Sequence, residues 1–529
     1  MKKRVWITGV LGCFAAACAA GCFIQSRKLK QDVKNQGEDV VTLEWYVNYS
    51  WFNAVWGKNL VSQKITEQTG VNVAFDIPSG DESMKLETII RSGSLPDLIT
   101  LGWWEPQLDE LIRGGYVYAL NELADKYDAY FWDVTNPEII SWYTQDDGNV
   151  YCYPNSALTP SDLKEHDNIY SNQVFCVRKD IYEAIGSPDM TTTEGFKKAV
   201  EKASEMFPEV DGYPLIPVGS QEQLTQSFDI ILMNFLAVPF EKDGKFYDRY
   251  TDEEYIRWLK MFRELHEEGL LSSDIFIDKT QQISEKIARG QYFCMLYQYV
   301  DLMEQQKALY EKDTDQIYIA VDGPTNRNGA PHTLTVTNAN GWTVTLISKK
   351  CGHPDKAIKL MSYMISEEGQ KVLSVGVEGK TYDMVNGKTV LRPEVQKMLE
   401  GSKEEYNQRY GADDMYWMLM NPMVQSEWEP EKPEYIRQLG EWTKPYLFYN
   451  GQYDAILKTG TKVQEQDEQI TALWKETLPE LLCADSEEAF DCILKQFVKK
   501  REQYDYEDYL DTRTTMMEEA KQKLGISDK

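Results

Sequence analysis

The chain has 529 residues, of which 42% are hydrophobic and 12% aromatic, so it can bury large cores and is not a disordered protein. Its length indicates two or more structural units of about 150 residues each. With 56 basic and 85 acidic residues the formal charge is −29, and a body this acidic repels phosphate backbones and anionic lipids. The composition therefore argues against nucleic acid as a partner and favours a neutral or cationic ligand.

The N-terminus has the pattern of a secretory signal. A basic start at residues 2–4 precedes an uncharged run at residues 5–24. Small residues before Cys22 resemble the lipobox of bacterial lipoproteins, in which the cysteine is lipidated and begins the mature chain. The departure from that motif is Ala19, where leucine is usual. We predict a lipoprotein signal peptide at residues 1–22, with an uncleaved anchor helix as the alternative.

Residues 23–40 are polar and charged, which is typical of a flexible tether between a membrane and a folded body. In either interpretation of the N-terminus, the bulk of the chain lies outside the cytoplasmic membrane. The six cysteines beyond Cys22 are widely spaced and include no CxxC pair, so a disulfide framework is not expected. Cys176 and Cys294 lie in apolar strand-like runs and are predicted to be small core residues.

Alternating strand and helix patterns begin at residue 41 and indicate an α/β fold with a mostly parallel sheet. Apolar residues at every second position predict a strand at 41–47. Two further strands are predicted at 71–75 and 98–101, with helical patterns between them. This alternation is the expected pattern when helices cover both faces of one sheet.

A second α/β unit is predicted after residue 153. Thr191 and Thr251 are predicted to begin two of its helices, each of which carries one apolar face. A later helix is predicted to start at Pro354, with Ala357, Leu360, Met361 and Met364 on one side. From about residue 390 the chain becomes helix-rich and acidic.

The most informative segment is the loop after the third predicted strand, where Gly102, Trp103, Trp104 and Glu105 follow an apolar run. Ligands of α/β domains bind at the carboxyl ends of strands. Two indoles are unfavourable to leave in water and are well shaped to stack on a flat ligand face. Burial of both rings in a core is the alternative, but core tryptophans seldom occur as adjacent pairs at a strand end.

Sequence patterns for catalysis or metal binding are missing from the chain. Its four histidines show neither zinc spacing nor an HExxH pattern, no GxSxG elbow occurs, and no GxGxxG follows a predicted strand. We therefore predict no cofactor, no metal and no enzymatic activity. A glycosidase needs only two carboxylates across a cleft, so the 85 acidic residues leave that alternative open.

Several motifs occur in order along nearly the whole chain. They are the lipobox-like Cys22, Pro96-Asp97-Leu98-Ile99, Arg178-Lys179-Asp180, residues 191–196, Pro354-Asp355-Lys356-Ala357, Ser366-Glu367-Glu368-Gly369 and Gly376-Val377-Glu378-Gly379-Lys380-Thr381-Tyr382. With these motifs the chain resembles the extracellular solute-binding lipoproteins of bacterial ABC transporters for carbohydrates, specifically the large oligosaccharide-binding group.

The resemblance implies a two-lobed periplasmic-binding-protein-like α/β fold with sugar bound in an interlobe cleft, followed by the helix-rich C-terminal region. By position, lobe 1 would be residues 41–153 plus 323–360, and lobe 2 would be residues 154–322 plus 361–529. The resemblance also implies a monomeric, non-enzymatic receptor, held by a lipid anchor at the extracellular face of the cell membrane. Such a receptor captures an oligosaccharide and delivers it to an ABC permease.

A pyranose ring has an apolar face and a polar rim, so strand-end loops that mix aromatic, amide and carboxylate side chains are candidate ligand contacts. The candidates are Tyr49, Trp51, Trp103, Trp104, Glu105, Asn172, Gln221, Tyr297, Tyr299 and Trp342. For each candidate, the alternative is packing within one lobe. Rival functions are a cell-surface glycoside hydrolase, a receptor for a peptide or another small solute, and a structural or adhesive surface lipoprotein with no closing cleft. A ligand with a free carboxylate would usually require an arginine, and the candidate loops contain none.

Overall fold

The computed structural model describes residues 40–222, 224, 227–428 and 432–526. The predicted signal peptide, its Cys22 and residues 23–39 of the predicted tether lie outside the described residues. The described chain forms two compact units. The first contains residues 40–101, 115–135 and 345–420, and the second contains residues 102–114, 136–344 and 421–526.

The strands are short. In chain order they are β1 (Val41–Val47), β2 (Val71–Asp76), β3 (Leu98–Gly102), β4 (Cys152–Pro154), β5 (Gln173–Arg178), β6 (Glu209–Val210), β7 (Tyr213–Pro214), β8 (Ile216–Ser220), β9 (Glu241–Lys242), β10 (Lys245–Phe246), β11 (Tyr292–Gln298), β12 (Tyr318–Ala320), β13 (Leu334–Thr335), β14 (Thr343–Ile347), β15 (Tyr382–Val385), β16 (Lys388–Leu391) and β17 (Leu447–Phe448).

Helices occupy most of the remaining chain. They are α1 (Leu60–Thr69), α2 (Glu82–Ser92), α3 (Gln107–Arg113), α4 (Leu120–Tyr127), α5 (Tyr130–Val134), α6 (Pro137–Tyr143), α7 (Asp162–Glu165), α8 (Lys179–Ala184), α9 (Thr193–Met206), α10 (Phe228–Phe235), α11 (Glu253–Glu267), α12 (Thr280–Ala288), α13 (Met303–Lys312), α14 (Pro354–Ile365), α15 (Glu367–Val375), α16 (Pro393–Gly401), α17 (Lys403–Arg409), α18 (Pro422–Gln425), α19 (Glu434–Thr443), α20 (Lys462–Leu482), α21 (Glu487–Arg501) and α22 (Tyr506–Lys523).

One sheet has five strands in the order β2-β1-β3-β14-β4. Strand β1 pairs in parallel with both β2 and β3, so the carboxyl ends of these three strands lie at the same edge. The side chain of Trp45 in β1 is fully buried, and its Nε1 donates to Thr100 Oγ1 at 2.9 Å. A second hydrogen bond of 2.8 Å joins the hydroxyls of Thr100 and Thr345. This buried polar ladder links three neighbouring strands and opposes a slip of their register.

Helix α14 covers part of the first unit. It begins with Pro354 at a position that favours helix starts, because proline has the required φ and lacks an amide hydrogen. It packs against α1, α4 and α5. The predicted apolar face is confirmed, because all four of its residues are buried: Ala357, Leu360, Met361 and Met364.

The second unit has its own sheet, with the strand order β12-β5-β11-β8. Strand β11 pairs in parallel with β8 and antiparallel with β5. The amino end of β5 therefore lies at the same edge as the carboxyl ends of β8 and β11. Two separate sheets covered by helices confirm the predicted α/β class.

The helices of the second unit follow the predicted apolar faces but start one residue later than expected. The Oγ1 of Thr192, not Thr191, accepts a hydrogen bond from the Gly195 amide at 3.0 Å and caps α9. Thr191 instead donates to Asp189 Oδ1. Asp252, not Thr251, caps α11. Adjacent polar residues compete for the cap, and sequence pattern alone does not decide between them.

Among the residues described, no helix combines the length and the apolar character that a bilayer crossing requires.

Candidate functional site

Three aromatic rings form a shelf in the first unit, just beyond the carboxyl end of β1. Trp51 and Trp417 are stacked with centroids 5.5 Å apart and an interplanar angle of 28°. Tyr49 contacts both rings, at centroid distances of 5.5 Å and 5.7 Å. Trp417 is 7% exposed, whereas Trp51 is 57% exposed. We call Tyr49, Trp51 and Trp417 the aromatic shelf. In it, the solvent-exposed indole of Trp51 rests on the buried indole of Trp417.

Backbone contacts hold this shelf at the sheet edge. The Asn48 amide donates to Thr100 O at 2.9 Å, which continues the β1–β3 pairing past the end of β1. The Ser50 amide donates to Glu82 Oε1 at 2.6 Å. Thr345 Oγ1 donates to Met418 O at 3.4 Å and ties the turn that carries Trp417 to β14. The exposed indole therefore stands on a fixed support rather than on a free loop.

Trp417 was missed by the sequence analysis as a site residue. It lies in a short 3-10 helix, Trp417–Leu419, in the C-terminal region. The local sequence there has no strand before it and no ligand-loop pattern. Only the three-dimensional pairing of Trp417 with Trp51, 366 positions away, connects it to the predicted site.

The predicted pair Trp103 and Trp104 lies in a tight turn between β3 and α3. The rings meet edge to face, with centroids 5.9 Å apart. Trp104 is 52% exposed, and its six-membered ring lies against Gly102, where an added Cβ would come within 2.7 Å of Cζ2. Glu105 Oε1 accepts from the Gly102 amide at 2.7 Å, and the Glu105 amide donates back to Gly102 O. Glu105 thus closes the turn that displays Trp104.

The second unit assembles polar side chains from three segments at one edge of its sheet. Gln173 and Gln298 are directly paired across β5 and β11, and the Tyr299 amide donates to Asn172 O at 2.9 Å. Gln221 follows β8 and its Nε2 donates to Asp301 Oδ2 at 2.5 Å. We call this group the amide edge: Asn172, Gln173, Gln221, Gln298 and Asp301. The sheet brings together the predicted contacts Asn172 and Gln221, which are distant in sequence.

The two predicted tyrosines at this end of the sheet are buried. Tyr297 is 2% exposed and Tyr299 is 6% exposed. Tyr297 lies within β11, opposite Val174, and packs in an apolar cluster that also contains Cys176 and Met295. Burial raises the pKa of the Tyr297 phenol well above its usual range. In the described conformation both rings therefore pack inside the second unit.

Trp342 lies where two buried loops of the second unit meet. Its amide donates to Asn155 O at 3.1 Å. Gly341 before it has a φ of +69°, and a Cβ there would be 2.1 Å from Asn155 O, so only glycine fits. The preceding Asn340 is fully buried, and its Oδ1 accepts from Trp142 Nε1 at 2.7 Å. The Trp342 ring is thus partly exposed on a rigid base.

In residues 40–526, apart from the short undescribed gaps, no group of three or more histidine, cysteine or acidic side chains is placed to hold a metal ion. The chemistry available at the aromatic shelf and the amide edge is stacking and hydrogen bonding. Aromatic faces can pack on apolar surface of a ligand, and side-chain amides can donate hydrogen bonds to its polar groups and accept hydrogen bonds from them.

Comparison with known proteins identifies the family. Residues 47–371, more than half of the chain, match the family described as bacterial extracellular solute-binding protein. The chain belongs to this family. Its members bind solutes outside the cell and are not enzymes, which confirms the predicted family and the predicted non-enzymatic role.

Two curated relatives match parts of the chain. The fructooligosaccharide ABC transporter substrate-binding protein FusA of Streptococcus pneumoniae is 26% identical over 235 residues, which are 41% of this chain and 42% of FusA. Lipoprotein LipO of Bacillus subtilis is 23% identical over 155 residues, which are 28% of this chain and 30% of LipO. The chain thus aligns with less than half the length of either relative.

A solved structure matches over a much longer span. FusA of Streptococcus pneumoniae in complex with kestose superimposes with a TM-score of 0.67 and 16% identity, covering 90% of this chain and 99% of that one. The likeness confirms the predicted periplasmic-binding-protein-like α/β fold. The predicted interlobe cleft and lobe boundaries stay predictions.

Proposed function

We propose that the chain is a membrane-tethered receptor that captures an oligosaccharide outside the cell and delivers it to an ABC permease. The observation that carries this proposal is the aromatic shelf, in which the exposed Trp51 is stacked on the buried Trp417 just beyond the carboxyl end of β1, which pairs in parallel with β2 and β3. An exposed indole on a rigid support loses little conformational entropy when a ligand ring stacks on it.

The amide edge supplies the complementary chemistry. Sugar hydroxyls both donate and accept hydrogen bonds, and the side chains of Asn172, Gln173, Gln221 and Gln298 offer both donors and acceptors. Trp104 on its turn and Trp342 on its buried base are further stacking surfaces. We assign direct ligand contact to Trp51, Trp104 and the amide edge, and a supporting role to Tyr297 and Tyr299, because these tyrosines are buried.

The family and its relatives support this proposal. Family membership gives an extracellular binding protein. FusA is named for fructooligosaccharides and for an ABC transporter, and one of its structures contains kestose. An oligosaccharide and an ABC permease are therefore the ligand and partner that we propose for this chain.

We propose lipidation of Cys22 as the anchor, and the name of LipO, a lipoprotein, supports it. Eighteen residues, 23–40, separate Cys22 from β1. A fully extended segment of that length reaches roughly 60 Å, so the body would stay close to a permease in the same membrane. Such tethering raises the effective concentration of the receptor at the transporter. Labelling with radioactive palmitate that is lost in Cys22→Ser tests this anchor.

The function is tested by thermal unfolding of the full chain in detergent with a panel of neutral and acidic oligosaccharides that includes kestose. We expect saturable stabilisation by one sugar class, about 2.7 kcal/mol at a hundredfold excess over the Kd. Stabilisation by peptides alone would favour the small-solute rival. Release of reducing ends over time would favour the glycoside hydrolase.

Two tryptophan variants locate the site. Trp51→Ala is expected to lose the sugar-dependent stabilisation and to keep a cooperative melt without sugar. Trp132→Ala is the matched control, because Trp132 belongs to the same unit and is 39% exposed but lies on α5, where its Nε1 donates to Asp125 Oδ1. Equal sugar responses in both variants would contradict the assignment of the aromatic shelf.

A further inference from the structure

Arg249 lies in the second unit close to the amide edge, in a short 3-10 helix, Arg249–Thr251. Its Nη2 donates to Asn234 Oδ1 at 2.7 Å. Asn234 is fully buried, and its Nδ2 donates to Gln173 Oε1 at 2.9 Å. Since Gln173 belongs to the amide edge, two hydrogen bonds connect the guanidinium to the proposed sugar contacts.

Aromatic rings, rather than carboxylates, fix the orientation of this guanidinium. Its central carbon lies 3.9 Å from the centroid of the Phe240 ring. Phe240 is in turn stacked on Phe448, at 5.4 Å and 8°, and on Tyr453, at 5.0 Å and 14°. A cation on a ring face with a packed support behind it is held in one plane.

The ionic environment of Arg249 differs from that of comparable arginines. Arg257, Arg289 and Arg513 also lie over aromatic rings of the second unit, and each has a carboxylate partner, in Glu254, Glu285 and Asp467 respectively. Across the residues that the structure describes, Arg249 forms no such ion pair, and its Nε is buried without a hydrogen-bond partner.

The acidic groups near Arg249 act on its charge through space and not through a direct ion pair. Burial lowers the pKa of Arg249 to about 10, and the charge of Asp229 is the strongest opposing influence. Burial also raises the pKa of Asp229 to about 8, so this carboxyl is mostly protonated at neutral pH, whereas burial raises the pKa of Asp454 only to about 6, so Asp454 is the charged one of the two. A half-buried cation without a direct ion-pair partner is stabilised further when a ligand brings an anion into contact with it.

We infer that Arg249 binds a carboxylate of the ligand, which makes the ligand an acidic oligosaccharide. This inference rests on the proposed function and refines it. The planar fork of N–H donors in a guanidinium matches the two oxygens of a carboxylate, and such charge-assisted bonds are among the strongest in proteins. The net charge of −29 does not prevent this contact, because charges more than about 10 Å away are largely screened at physiological salt.

The test uses matched acidic and neutral sugars with the full chain in detergent. Trigalacturonate is compared with its methyl ester, and 3′-sialyllactose with lactose, so that the two pairs distinguish uronate from sialate as the source of the carboxylate. We expect thermal stabilisation by the acid of at least one pair and not by its neutral partner. Arg249→Gln and Arg249→Lys are each expected to weaken binding of that acid, the former by about 10- to 100-fold.

The control variant is Arg289→Gln, because Arg289 also lies over a ring, that of Tyr213, but is paired with Glu285 and follows α12. It is expected to bind the acidic sugar as the wild type does.

Stabilisation by neutral oligosaccharides alone, or acid binding that survives in Arg249→Gln, would overturn the inference and leave the carbohydrate function intact. If no sugar of either kind stabilises the chain, the proposed function fails and the inference fails with it. If Arg249→Gln does not fold, Arg249→Lys decides: weaker binding of the acid supports the inference, and unchanged binding overturns it.

Discussion

The aromatic shelf of the first unit and the tyrosines of the second unit differ in one respect that matters for function. Both sets occur where a strand ends, yet Trp51 is 57% exposed and Tyr297 is 2% exposed. Trp51 lies beyond the end of β1 and stands on a ring from a distant segment, whereas Tyr297 lies inside β11 and faces the core. Trp51 stays exposed near its strand end because Trp417 occupies the space beneath it.

This comparison separates stability from binding. Residues beneath a surface contribute mainly to the free energy of unfolding, since their removal leaves a cavity. Residues that remain half in solvent contribute little to folding and much to a ligand that covers them. Substitutions of the buried tyrosines should therefore lower the free energy of unfolding, whereas substitutions in the exposed part of the aromatic shelf should mainly weaken ligand binding.

The largest expected effect is that of Tyr297→Ala. Removal of a fully buried aromatic ring is expected to lower the free energy of unfolding by about 3–5 kcal/mol, measured by urea denaturation. Trp51→Ala, the matched variant at the exposed position, is expected to change it by less than about 1 kcal/mol. A small stability change in Tyr297→Ala together with a complete loss of sugar binding would contradict the assignment of Tyr297 to the core rather than to the ligand site.

A second expected effect concerns pH, since the second unit buries an acidic group. Asp229 is fully buried, and its Oδ2 accepts from Trp474 Nε1 at 2.8 Å. Burial raises the pKa of its carboxyl to about 8, against about 3.9 in an unfolded chain. Between these values the folded protein keeps a proton that the unfolded chain releases. Its stability contribution is therefore complete below about pH 4 and is lost as pH rises towards 8, with a slope of up to about 1.4 kcal/mol per pH unit.

Urea denaturation at pH 5, 6 and 7 measures this slope as the difference between the wild type and Asp229→Asn, in which the group cannot titrate. The exposed Asp243→Asn is the control and should follow the wild type at each pH. A constant difference between the wild type and Asp229→Asn over this range would show that Asp229 does not titrate as its burial requires.

The smallest expected effect concerns Trp104, a second exposed indole whose ring lies against Gly102. Gly102→Ala places a methyl group against the Trp104 ring and is expected to displace it, because the ring lies within van der Waals contact of the glycine. Acrylamide should then quench tryptophan fluorescence more strongly, with a change in unfolding free energy of less than about 1 kcal/mol. In a Trp104→Phe background the same substitution should not alter the quenching, and an equal change in both backgrounds would contradict this contact.

Local sequence pattern was sufficient for much of the fold. A period-two pattern predicted β1, and period-3.6 patterns predicted the apolar faces of α11 and α14, because one face of each of these elements is buried whatever its partner. A short continuous apolar run predicted β3, all of whose residues are buried. The predicted starts of α9 and α11 were wrong by one residue, because two neighbouring side chains at each helix start can form the N-terminal cap.

The site was less predictable because it depends on partners that are distant in sequence. The strand-end pattern predicted Trp51 and Asn172 as candidate contacts, but neither Trp417 nor Arg249. Trp417 gains its role from a ring 366 positions away, and Arg249 from an amide on α10 and a ring on the loop after it. Pattern analysis also cannot show which side of β11 faces the core, so the burial of Tyr297 required the structure.

Oxidation of tryptophan by N-bromosuccinimide, mapped to individual residues by mass spectrometry, tests the central claim most directly. The experiment compares the rates at Trp51 and Trp132 with and without the oligosaccharide that stabilises the chain most. We predict that saturating sugar slows oxidation of Trp51 and leaves that of Trp132 unchanged, because a ligand ring covers the exposed face of the aromatic shelf. Oxidation of Trp51 at the same rate with and without bound sugar would contradict the account.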